Sequence, residues 1–278
     1  RLAYAGEYGY YVVFDLGLSP ATTAFPQAAS FACDLFRFEP KWGFRAATQR
    51  YYDLFPQLFS EWREGQGSWS HCAYDWTSEE RPLDYGVRWQ VFNYHENREI
   101  SDDTAAGVET VVYIEPNGYW GWRLGIKPLP DGTEKPPYDE LIAGVREVAA
   151  AGERPAAPRV LQTGIFDAQD RYHVGGWMPK WGGAHWDCNP DPSLPDAEGN
   201  ISNLGTDSWD HVKIHCENYG ATGLYTDAGP FRTQNFRREH FAHIAHPLSF
   251  DYETRKLCVP PLVHSYELYE YLRGRLDH

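Results

Sequence analysis

Gly220-Ala221-Thr222-Gly223-Leu224-Tyr225-Thr226-Asp227-Ala228-Gly229 joins a helical pattern to a short apolar strand and ends that strand on an acid. Upstream, Trp209, Val212, Cys216 and Tyr219 recur at helical spacing behind the capping candidates Thr206, Asp207 and Ser208. Gly220 supplies a left-handed stop, so a helix is expected to end at about Tyr219. Leu224 and Tyr225 form the centre of an extended segment, and Asp227, followed by Ala228, Gly229 and Pro230, marks where it breaks into a loop. Helix, glycine, strand, acid is the order found in α/β barrels and open α/β sheets, where ligands meet the carboxyl ends of strands. Asp227 is therefore a site candidate, with capping of the following turn as its structural alternative.

Working outward, residues 87–93 alternate and lead to Tyr94, His95 and Glu96, while residues 110–114 read as a buried-type strand leading to Glu115. Between them residues 102–107 have room only for a very short helix or turn, because parallel strands need a crossover of about a dozen residues. Residues 139–151 form an amphipathic helix with Leu141, Ile142, Val145, Val148 and Ala149 as its apolar stripe and Gly152 as its stop. Residues 160–165 and 172–177 are strand candidates. Residues 180–205, rich in proline and carrying Trp181, Trp186 and Asp187, read as one long loop, and such loops are usually lids or site walls. The chain closes on a helix from about Ser265 to Leu276.

Towards the N-terminus, residues 8–16 and 29–38 read as strands, residues 42–55 as a helix ended by Pro56, and residues 61–82 as loop. The expected organisation is α/β: the C-terminal strands of a β-sandwich-like domain over residues 1–40, a connecting helix and loop over residues 41–82, and the N-terminal part of a (β/α)8 barrel over residues 83–278. The start at Arg1 and the helix running to His278 fit a piece of a longer chain. No internal repeat or low-complexity tract is present.

Composition narrows the function. The 278 residues carry a formal net charge of -14 and a pI near 5.2. That argues against a nucleic-acid partner, which needs clustered Lys and Arg, and against an anionic membrane surface. No apolar run is long enough to span a bilayer. The five cysteines, Cys33, Cys72, Cys188, Cys216 and Cys258, are odd in number and far apart, which argues against a disulfide framework or a zinc ribbon and leaves one long-range bridge open. Aromatic residues make up 16 %, including 11 Trp and 19 Tyr. Rings with a flat face and a polar tip suit sugars, although most such rings fill cores.

The chemistry rests on carboxylates. Strands ending at His95/Glu96, at Glu115 and at Asp227 bring acids to one mouth if they run parallel. Glycoside hydrolysis needs such a pair, one protonated to assist the leaving oxygen and one ionised to attack or to activate water. Metal chemistry is the rival: His240, His243 and His246 recur at intervals of three with Glu239 alongside, but no HExxH spacing is present, so metal ligands are assigned to none. No nucleophile elbow, phosphate loop or dinucleotide fingerprint occurs, and no cofactor is expected.

Thr222-Gly223-Leu224-Tyr225-Thr226-Asp227-Ala228 resembles the fourth-strand motif of (β/α)8 glycoside hydrolases of the α-galactosidase, α-glucosidase and α-amylase kind. Trp42-Gly43-Phe44-Arg45-Ala46-Ala47 and Asn235-Phe236-Arg237-Arg238-Glu239-His240 are similar to segments in a group of large bacterial proteins with such barrels. The resemblance implies Asp227 as nucleophile and a carbohydrate substrate. It also implies an acid/base carboxylate on a later strand, which would leave Glu115 a wall or substrate-binding group. Tyr225 departs from the pattern, standing where α-amylases usually have Arg and α-galactosidases Lys, so neither family's substrate carries over.

The expectation is thus a glycoside hydrolase or transglycosidase with Asp227 and Glu115 as catalytic carboxylates. His95, Glu96, Trp120, Trp122, Trp181, Trp186 and Asp187 are its expected substrate contacts. A non-catalytic carbohydrate-binding or degenerate barrel is the alternative, and a metal-dependent hydrolase the third reading.

Overall fold

Gly223–Thr226 of the quoted stretch form one edge of a four-stranded parallel sheet. In the computed structural model, which describes residues 2–7, 9–58, 67–71, 82–92, 100–196, 199–227 and 233–276, this sheet contains β3 (Ser68–His71), β4 (Val87–Phe92), β5 (Glu109–Ile114) and β9 (Gly223–Thr226). Its order is β3-β4-β5-β9, every pair parallel, so the strands lie side by side in the order in which the chain makes them. The short helix α2 (Ile100–Ala105) provides the crossover from β4 to β5, as the limited length of the connection requires. His95 and Glu96 lie outside the described residues.

The two faces of this sheet differ because side chains alternate along a strand. Thr110, Val112 and Ile114 of β5 are buried, while Glu109, Val111 and Tyr113 are half-buried. The buried face packs against α5 (Leu204–Tyr219) and α6 (Pro261–Leu276): Val112 and Ile114 meet Val212, Leu268 and Leu272, with Trp209, Cys216 and Leu224 at the margin. On the other face the ring of Trp69, from β3, stacks on Tyr225, from β9, with centroids 5.4 Å apart. Flat sheets place strands three positions apart about 14 Å from one another. The sheet therefore curls towards this aromatic face.

Helix α5 ends where the sequence predicts, on Gly220 at φ 79°. It begins earlier than the capping candidates suggested. Asn203 is the cap: its side chain accepts from the Thr206 N–H, and the Thr206 hydroxyl accepts from the Asn203 N–H.

Between β5 and α5 the chain builds a second unit. Strands β6 (Gly118–Trp120), β8 (Gly183–Asp187) and β7 (Val174–Met178) form an antiparallel sheet in that order. Two helices, α3 (Tyr138–Ala151) and α4 (Ala156–Thr163), cover it. Tyr119, Leu124, Ile142, Val145, Ala157, Val160, Trp186 and Leu204 share one core. This unit is an insertion at the carboxyl end of β5, in position to wall whatever sits there.

Three expectations are corrected here. Residues 160–165 belong mostly to α4, not to a strand, because Ala156, Val160 and Thr163 recur at helical spacing on the face turned to the core. The long loop of residues 180–205 contains β8, whose pairing with strands on both sides completes the antiparallel sheet. The presumed loop of residues 61–82 contains β3, its remainder lying partly outside the described residues.

At the N-terminus β1 (Leu2–Ala5) and β2 (Gly9–Val12) pair as a hairpin. The second expected strand is absent: residues 29–38 are irregular, with Phe31 and Leu35 exposed, since alternation makes a strand only where a neighbour completes its hydrogen bonds. Helix α1 (Phe44–Leu54) follows as predicted, with no buried residue. A final hairpin, β10 (Ser249–Phe250) with β11 (Leu257–Cys258), precedes α6. No helix among the described residues is long and apolar enough to cross a membrane.

Candidate functional site

Glu115 and Asp227 come together by register. Ile114 pairs with Thr226, so the next residue on each strand stands at the carboxyl edge of the sheet. The Asp227 N–H donates to the Ile114 carbonyl at 2.9 Å, continuing the ladder one residue past the strand. The period of two puts Glu115 on the face of Tyr113, and Asp227 on the face of Tyr225, the curled aromatic side. The Tyr113 hydroxyl donates to Asp227 Oδ2 at 2.7 Å. Burial, that hydrogen bond and the nearby Glu115 and Asp227 charges raise the Tyr113 phenol far above its ordinary value, so it remains a donor.

Glu115 meets the insertion on its other side. The Trp120 Nε1–H donates to Glu115 Oε1 at 3.2 Å. Burial lifts the Glu115 carboxyl above the usual carboxylate range; His185, the Trp120 bond and Arg123 pull against it, and the Asp227 charge adds to it. Glu115 is thus the carboxyl that burial biases towards its protonated form, and Asp227 accepts the phenol hydrogen bond at the strand end.

The insertion also contributes an aspartate between two imidazoles. Asp187, the last residue of β8, has Oδ1 2.7 Å from His185 Nδ1 and Oδ2 2.8 Å from His173 Nδ1. Burial opposes ionisation of Asp187, but the bonds from His173 and His185 outweigh it and hold the carboxyl below its ordinary range. Gly175 permits this approach, because a Cβ there would collide with the Asp187 carboxylate. His185 pairs with Trp120 across the sheet, and their rings lie 4.7 Å apart. Trp181, about 39 % exposed, meets Trp120 edge to face at 4.7 Å.

Glu115, Asp227, Trp120, Trp181 and Asp187 are thus linked around one corner. Trp122 is half-buried beside the Arg123 guanidinium. Trp186 is corrected: only 1 % exposed, it fills the core of the antiparallel sheet and offers no accessible face. Asp187 has both oxygens engaged by imidazoles, so it orients other groups. His173, His185 and Tyr113 were missed by sequence reading. A period-two reading of residues 183–187 would have put His185 and Asp187 on one face, and the same alternation puts Tyr113 with Glu115.

His240 and His246 of the metal reading serve the fold. His240 is buried; its Nδ1 accepts from the Asn235 amide at 2.9 Å and its Nε2–H donates to the Gln162 carbonyl at 3.3 Å. Glu239 pairs with Arg237 at 3.6 Å, and the His246 ring meets Tyr266 edge to face. Among the described residues no group of three or more His, Cys, Asp or Glu is placed to hold a metal ion. Cys33, Cys188, Cys216 and Cys258 are free thiols, and Cys72 lies outside the described residues.

Comparison with known proteins returned no match among family models, curated proteins or solved structures.

Proposed function

We propose that this chain is a glycoside hydrolase or transglycosidase acting on an oligo- or polysaccharide, with Asp227 as nucleophile and Glu115 as general acid/base. The observation that carries this reading is the register of β5 and β9, which sets two carboxyl residues side by side at the ends of parallel strands. Neighbouring strands lie about 4.8 Å apart, and retaining glycosidases hold their carboxyls about 5 Å apart. Adjacent strand ends suit the short separation that retention requires, and retention is the stereochemical course of this reading. Glu115 protonates the glycosidic oxygen as Asp227 bonds to the anomeric carbon, and water deprotonated by Glu115 then releases the sugar. Trp120 and Trp181 form the corner on which a ring stacks.

The fold in this reading is part of a (β/α)8 barrel. Strands that neighbour one another in chain order, curled towards one face with helices on the other, are what a closing barrel sheet requires; an open doubly wound sheet reverses its order. Chromophore release from a panel of aryl α- and β-glycosides, run beside Asp227→Asn and Glu115→Gln, tests the proposal. Release lost in Asp227→Asn supports it. Equal release by wild type and both variants overturns it. The exposed face of Trp181 supports a second reading, a carbohydrate-binding barrel without turnover, in which Asp227→Asn leaves binding intact and no substrate is cleaved.

A further inference from the structure

An indole N–H donates, never accepts and carries no charge, so its effect on a carboxyl depends on where it points. The direction of the Trp120 indole is set by the insertion. Trp120 ends β6 opposite His185, whose ring lies 4.7 Å from its own. The edge-to-face contact with Trp181, also at 4.7 Å, closes a second side. Gly176 of β7 lies against the six-membered ring, where a Cβ would stand 3.4 Å from Trp120 Cη2. The antiparallel sheet and its turn thus hold the ring, and the ring presents its Nε1–H to Glu115 Oε1 at 3.2 Å.

That bond makes the two oxygens of Glu115 unlike. In a protonated carboxyl the carbonyl oxygen is the better acceptor, so Oε1 takes that part and Oε2 is the oxygen that gives or takes a proton. His185 on β8, Asp227 after β9 and Arg123 after β6 act on Glu115 through their charges, whereas the indole acts through a directional bond. Burial pushes the Glu115 carboxyl up, and the indole bond, which favours the ionised form, pulls it back. A glycosidase acid becomes ionised as it gives its proton to the leaving oxygen. The bond therefore strengthens towards the transition state, the condition for an interaction to raise kcat. The open surface of the corner belongs to Trp181, about 39 % exposed, while Trp120 is half-buried.

We propose that Trp120 is a positioning residue for Glu115: its indole N–H aims the second oxygen of the acid at the substrate, and the stacking surface of the aromatic corner is left to Trp181. The insertion thereby sets the geometry of a carboxyl that follows β5. A sugar docked on Trp181 is one ring contact away from the group that aims the acid. The catalytic consequence rests on the glycosidase reading of Glu115 and Asp227; the bond between Trp120 and Glu115 does not.

Proton–nitrogen-15 correlation spectra of the 11 tryptophan indoles against pH test the bond directly. The Trp120 signal, identified by its loss in Trp120→Phe, should follow a titration in wild type that is absent in Glu115→Gln, whose amide oxygen accepts but does not ionise. Should Trp120→Phe not fold, wild type against Glu115→Gln decides alone, because one indole signal has to lose its titration. A Trp120 signal flat with pH, or titrating unchanged in Glu115→Gln, overturns the proposal. With a hydrolysable aryl glycoside, Trp120→Phe keeps a ring and removes the N–H. It should lower kcat about 10- to 100-fold, the loss expected for one hydrogen bond to a charged group, leave KM near the wild-type value and move the basic limb of the kcat/KM profile to higher pH. Trp181→Ala should instead raise KM about 10-fold with kcat nearly kept. A rate lowered without movement of the limb makes Trp120 merely structural, and a rise in KM alone returns its ring to the stacking wall; either result overturns the proposal. An indole titration without any hydrolysis sinks the glycosidase reading and spares the aiming of Glu115, whereas hydrolysis with an unmoved indole and limb does the reverse.

Discussion

The two main sheets place most of their large aromatic side chains differently. In the antiparallel sheet Tyr119 and Trp186 are buried among α3, α4 and the start of α5, where they fill volume. In the parallel sheet the buried positions are aliphatic, Val112 and Ile114, and the aromatic residues Tyr113 and Tyr225 stand on the curled open face with Trp69. The difference teaches that aromatic content is no guide to a sugar site until each ring is assigned to a face. One sheet uses Tyr119 and Trp186 as core and turns Trp120 to Glu115, and the other keeps its rings on the face of Glu115 and Asp227.

The sharpest break between the two regions is functional. Asp227→Asn, on the open face, should lower turnover of a responsive aryl glycoside on the order of 10⁴-fold while leaving the thermal midpoint nearly unchanged; activity surviving within 10-fold would remove Asp227 from the chemistry. Trp186→Ala should behave oppositely, costing about 3–5 kcal/mol of stability in urea denaturation. A cost under 1 kcal/mol would mean the antiparallel sheet is not packed on Trp186.

Within the parallel sheet a smaller contrast separates the faces. Leu268→Ala, beneath the helix-covered face, should cost about 2–5 kcal/mol. Trp69, about 51 % exposed, should cost well under half of that when changed to alanine, and equal losses would show that the curled face is packed as tightly as the covered one. The smallest effect concerns pH. Because burial raises Glu115 in the folded state, its contribution to stability is complete below the unfolded value of about 4.3 and is lost as pH rises through the folded value. Glu115→Gln should therefore be more stable than wild type at alkaline pH, with the gap closing in acid. An unchanged gap from pH 4 to pH 9 would contradict the burial.

A second carboxyl pair tests whether this behaviour is special to the site. Glu267 on α6 and Asp191 in the loop after β8 are both raised, first by burial, with Glu267 pushed up to about 8 by burial and the neighbouring Asp191 charge. The same sign applies: stability held at neutral pH is lost as pH climbs through about 8. Glu267→Gln should flatten the alkaline part of the stability profile without altering turnover at pH 7.

The sequence by itself determined the local elements whose signals are short-range. The α5 stop at Gly220, the strand through Leu224 and Tyr225, the α3 stripe closed by Gly152 and the strand leading to Glu115 all follow from periodicity and capping chemistry, which act within a few residues. Strand-end acids were legible for the same reason. Only the tertiary structure decided which segments found partners. Residues 183–187 became a central strand because β6 and β7 lay on either side, residues 29–38 stayed irregular for want of a neighbour, and residues 156–163 became helical against the core. It also decided the site's second half. His185 and Asp187 share β8 but His173 comes from just before β7, and no spacing along the chain announces that one carboxylate will hold both imidazoles. Hydrogen bonds between strands and the burial of a shared core are long-range in sequence, and those forces chose the fate of the ambiguous segments.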